Sequence, residues 1–85
     1  SMTHKITGAD LVEMRGMIAM CVGHAVLTHL EKPFIATMAA KAERAVMVVT
    51  PNQYQWMLAI INRVVDFDVR FGTKRSAAKS KPRQQ

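Results

Sequence analysis

At 85 residues, about half of them apolar, and with a formal net charge of +6, the chain is one domain at most. A body that small buries a modest share of its surface and is marginal alone. This apolar content therefore points to a second copy or a partner that covers what one chain leaves open. The single cysteine, Cys21, excludes an internal disulfide, and no secretory signal opens the chain, so the expectation is a cytoplasmic protein.

Ser1-Met2 reads as a tag remnant followed by the natural start, and residues 1–7 as a flexible lead-in. Thr7 is a good N-cap, Asp10 three residues on completes a capping-box-like pattern, and Ile6 and Leu11 stand at the positions of a hydrophobic staple. The first helix is then expected from about Gly8 to Glu31. Its heart, Gly16–Leu30, reads GMIAMCVGHAVLTHL and holds no formally charged side chain. Leu11, Met14, Ile18, Cys21 and Ala25 form one apolar stripe; Val12, Ala19, Val22, Val26 and Leu30 form a second. A helix apolar most of the way round is normally buried on several sides. The run is shorter than the roughly 20 residues a membrane span needs, so no membrane is expected. Gly16 and Gly23, seven apart, share a face where another helix could approach closely; each glycine costs a helix about 1 kcal/mol relative to alanine.

Pro33 ends or kinks the first helix and suits the first position of the second. That helix is expected over Phe34–Val49, although AVMVV at its end has strand-like composition. Thr50-Pro51-Asn52-Gln53 is the clearest local signal in the chain. It joins an N-cap threonine, proline at the first helical position and glutamine as the return partner of a capping box, with Val49 and Tyr54 as a staple. In the third helix Tyr54, Met57, Leu58, Ile61, Val64 and Val65 make an apolar face that Trp56 and Ile60 widen. From Val65 the pattern VDFDVRF alternates as a strand does. Asp66 and Arg70 nevertheless have helical i,i+4 spacing, and Arg63 can reach Asp66 at i,i+3, so the helix is expected to continue to about Phe71, with Gly72 as its stop.

The charge is unevenly placed. Residues 72–85 hold Lys74, Arg75, Lys79, Lys81 and Arg83 and no acid, whereas residues 1–71 hold seven basic and six acidic side chains. This tail lacks apolar periodicity and is expected to be disordered in isolation. Its five cations are the candidate nucleic-acid-binding residues: they would neutralise phosphates without reading sequence, and no aromatic residue among them offers base stacking. Asn52, Gln53 and Gln55 resemble the start of a recognition helix, but the helix then becomes too apolar to lie in a groove.

No catalytic set is apparent. Asp66 and Asp68 point apart on a helix, and no phosphate-cradling glycine loop or nucleophile–histidine–acid arrangement is present. His24 and His29 are five apart, not the three or four that place two metal ligands side by side; Cys21 and His24 are three apart and would need further ligands from elsewhere. His29 near the end of the first helix would favour the helix dipole when charged. No metal, cofactor or enzymatic activity is expected. Of the seven methionines, six fall in expected helices, where they fill gaps or adapt to partners. Met17, Met20 and Met57, with Tyr54 and Trp56 as aromatic anchors, are the candidate partner-binding residues. The reading is thus an all-α, compact three-helix domain over residues 8–71. It is a homodimer or higher homo-oligomer packed through the first helix, and it binds another protein as a regulator, inhibitor or assembly factor. The alternative is a nucleic-acid-binding regulator that grips phosphates with its tail.

Overall fold

The computed structural model describes residues 2–72; the candidate nucleic-acid contacts Lys74, Arg75, Lys79, Lys81 and Arg83, and the disorder expected of the tail, lie outside the described residues. The element order is β1 (His4–Ile6), α1 (Gly8–Cys21), α2 (Glu31–Ala42), β2 (Met47–Val49) and α3 (Pro51–Phe71). The domain is compact and mostly helical, with three helices as expected. It also holds a two-stranded antiparallel ribbon that the all-α reading did not include. In that ribbon His4 pairs with Val49, Lys5 with Val48 and Ile6 with Met47.

Four boundaries differ from the sequence reading. The lead-in is not loose throughout, because its residues 4–6 are β1. The first helix stops at Cys21, ten residues before the expected Glu31. Gly23 causes that stop: its φ of 74° lies in the left-handed region open to glycine. The amide of Val22 donates to the Ile18 carbonyl and that of His24 to the Cys21 carbonyl, which closes the helix end. Gly23 is thus a helix terminator and not a mid-helix contact point.

The second helix begins at Glu31 and ends at Ala42, earlier at both ends than Phe34–Val49. Its start is set by a reciprocal pair. The Glu31 amide donates to Thr28 Oγ1 (3.2 Å) and the Thr28 amide donates to Glu31 Oε1 (2.9 Å), the capping box of a Thr-x-x-Glu sequence. Pro33 falls in the first turn, where an N–H would have no helical acceptor. The strand-like composition at the end of the expected second helix belongs to β2. Met47 and Val49 face the core while Val48 faces outward, the period of a strand.

The third helix matches its reading closely. Thr50 Oγ1 accepts from the Gln53 amide (3.1 Å) and Gln53 Oε1 accepts from the Thr50 amide (2.9 Å). The helix runs unbroken through the alternating segment to Phe71, and the Gly72 amide donates to the Asp68 carbonyl at 2.8 Å. Asp66 and Arg70 pair across one turn at 3.2 Å. Arg63, in contrast, turns away from Asp66 and takes Glu31.

The core joins all five elements. Leu11, Met14, Ile18 and Cys21 come from α1, Ile35, Met38 and Ala42 from α2, and Met57, Ile60, Ile61 and Val64 from α3; Ile6, Met47 and Val49 close it from the ribbon and Leu27 from the 22–30 loop. Helices α1 and α3 run in the same direction. Near their starts His4 stacks on Tyr54, with ring centroids 4.4 Å apart, and near their ends His24 meets Asp68. No helix among the described residues is long and apolar enough to cross a membrane.

Candidate functional site

Two side-chain clamps hold the 22–30 loop against α3 and so fix the end of α1. His24 is fully buried. Its Nδ1 accepts from the Val26 amide at 3.1 Å, which places the ring proton on Nε2; that nitrogen donates to Asp68 Oδ1 at 2.7 Å. Phe67 meets the imidazole edge-on, with centroids 5.5 Å apart. The second clamp is bidentate. Arg63 Nη1 donates to Glu31 Oε2 at 2.9 Å and Nη2 to Oε1, while Nη2 also reaches the Val26 carbonyl at 3.2 Å. The guanidinium, followed by the Thr28 amide, holds the Glu31 carboxyl down at about 2 against burial, which pushes the other way; Glu31 in turn raises Arg63 above its ordinary value.

These clamps determine what the titratable residues can do. Both nitrogens of His24 are committed inside the fold, so the ring has no lone pair left for a metal or for Cys21. The buried Cys21 thiol donates to the Met17 carbonyl at 3.5 Å. Among the described residues no group of three or more His, Cys, Asp or Glu could hold a metal ion. His29 is exposed in the turn before α2, not at the end of α1, so the dipole contact expected of it has no counterpart.

What remains is surface, and α1 organises it because a groove runs along each flank. On one side Arg15, Ile18, Ala19 and Val22 of α1 and its C-cap face Ala39, Ala42 and Glu43 across a space of about 350 Å³. Arg15 crosses this groove at its edge: its Nε donates to the Ala42 carbonyl and its Nη2 to the Arg44 carbonyl at 3.0 Å. On the other side Asp10, Glu13, Met14 and Met17 face His4, Lys5 and Ile6 of β1 and Tyr54 and Leu58 of α3, around about 380 Å³.

The five candidate partner-binding residues separate accordingly. Tyr54 and Met17 come together in the second groove. Met20 is half-buried on α1. Trp56 stands apart from them, 41% exposed and stacked on Phe34 of α2 with centroids 4.0 Å apart. Met57 is a core residue and offers no surface. The reading from sequence missed Arg15, Glu31, Arg63 and the His24–Asp68 pair. Only the Thr28-x-x-Glu31 capping box among these had a local signal; the others pair residues 27 to 44 positions apart. Comparison with protein-family models, with curated proteins and with solved structures finds no match to this chain.

Proposed function

We propose that this protein is a small non-enzymatic interaction domain that binds other proteins, in the first place a second copy of itself, through the outward face of α1. Gly16 is the observation that carries this reading. It sits in mid-helix, where glycine costs about 1 kcal/mol relative to alanine, and a Cβ built on it meets nothing within 4 Å. No packing among the described residues accounts for that cost. Val12, four residues before it, is 64% exposed, and Ala19, three residues after it, is exposed as well. The three share one helix face, where a second helix can come close without a side chain in the way.

The nearest cation does not obstruct that face, because Arg15 is drawn over the end of α2 by the carbonyls of Ala42 and Arg44. Val22, at the α1 C-cap, extends the apolar surface and is itself 48% exposed. Homodimer interfaces are apolar and poor in charge at their centres; Glu13, three residues before Gly16, borders this face.

The test is the solution mass of three chains: the parent, Val12→Lys, and Gln55→Lys as an exposed control on α3. The expected result is a dimer for the parent and the control and a monomer for Val12→Lys. Equal masses for all three chains would remove α1 as the interface.

A further inference from the structure

We infer that the groove between β1, α1 and α3 is a docking site for the basic segment 73–85 of the same chain. The groove has the chemistry of a cation receptor. His4 and Tyr54 stack at 4.4 Å with 17° between their planes and form an aromatic wall. Met14, Met17 and Leu58 supply apolar lining, and Asp10 and Glu13, one helical turn apart on α1, stand beside it. An aromatic face next to carboxylates suits the apolar stem and charged head of lysine or arginine.

These two carboxylates are also uncommitted. The chain has six acidic side chains. Glu31, Asp66 and Asp68 are held by Arg63, Arg70 and His24, and Glu43 lies in the other groove beside Arg15. Asp10 and Glu13 enter none of the ion pairs among the described residues. Among the described residues, the charged groups that face this groove are Asp10, Glu13 and Lys5, with His4 in the wall.

The segment 73–85 carries five cations and no acid, and its length fits. From Gly72 back to Leu58 is 14 residues of α3, about 21 Å at 1.5 Å per residue. Lys79, Lys81 and Arg83 stand 7 to 11 residues beyond Gly72, a reach of roughly 23–36 Å at about 3.3 Å per residue. Lys74 and Arg75 are too near Gly72 to arrive. Val12, Gly16 and Ala19 of the proposed self-association face are not among the residues that line this groove. A partner using Tyr54 and Met17 would first have to displace the tail.

The experiment uses the full chain with Ser80→Cys carrying a paramagnetic label; Cys21 is buried and does not compete for it. Amide signals of Asp10, Glu13, Tyr54 and Leu58 are expected to broaden selectively. The broadening is expected to fall at least several-fold in the Asp10→Asn/Glu13→Gln double variant, and to fall likewise in 1 M salt, where the screening length is about 3 Å. Absent or evenly spread broadening would overturn the proposal, as would broadening that survives both changes. In chains that also carry Val12→Lys, which keeps them single, a mixture of isotope-labelled chains without the spin label and spin-labelled chains without isotope is expected to show none. Broadening confined to that mixture would overturn docking within one chain.

Discussion

Replacing Glu31 by glutamine isolates the electrostatic part of the clamp between α2 and α3, since Glu31→Gln keeps an oxygen for the Thr28 amide and removes the charge facing Arg63. In the folded chain the Glu31 carboxyl is lowered from its ordinary 4.5 to about 2. A carboxyl held down in this way contributes stability that is fully present above its unfolded value and is lost as pH falls through the folded one. At 1.36 kcal/mol per pKa unit, the full shift corresponds to about 3.4 kcal/mol. Arg63 is 42% exposed, so solvent screening discounts this to roughly 2 kcal/mol. Urea unfolding followed by circular dichroism at pH 7 should therefore show Glu31→Gln less stable by about that amount. The gap should begin to close below pH 4.5 and be largely gone near pH 2. A parent and variant equally stable at pH 7, or a gap unchanged at pH 2, would refute the assignment.

Further outcomes follow from the other contacts. His24→Ala should cost about 3 kcal/mol in the same assay, because it opens a cavity and strips partners from Asp68 and the Val26 amide. Asp68→Ala should cost about 1 kcal/mol: its carboxylate is partly exposed, and water can take its place. Thr50→Ala should cost about 1 kcal/mol through the lost capping box at the start of α3. Gly16→Ala should raise the thermal stability of the isolated monomer by up to about 1 kcal/mol, since the added methyl meets nothing, and weaken self-association measured by sedimentation.

The elements that could be read from the sequence were those whose signals are local. Thr50, Pro51 and Gln53 specify the start of α3 within four residues, and Gly72 marks its end. The ambiguous alternation over Val65–Phe71 was decided by i,i+4 charge spacing, and the Asp66–Arg70 pair is there. The first helix misled because its apolar stripes continue past its real end. Leu27 does enter the core, but from a loop, so burial outlasted the helical period. Gly23 and the Thr28–Glu31 capping box both marked the break, and the apolar run around them outweighed them. The ribbon was not legible, because β1 and β2 are three residues each and pair across some forty positions. For the candidate site, the sequence singled out Tyr54 and Met17 among the candidate partner-binding residues, and the fold places both at one groove. The sequence could not identify which residues face them, since Asp10 and His4 come from elements brought there only by the fold.

Self-association through α1 is read out by light scattering after size exclusion on the full chain at micromolar concentration. Self-association through α1 gives a mass twice that of the 9.5 kDa chain, falling to a single chain in Val12→Lys. A parent that stays at one chain mass across the concentration range would contradict it, because the open face of α1 around Gly16 would then have no second copy to receive.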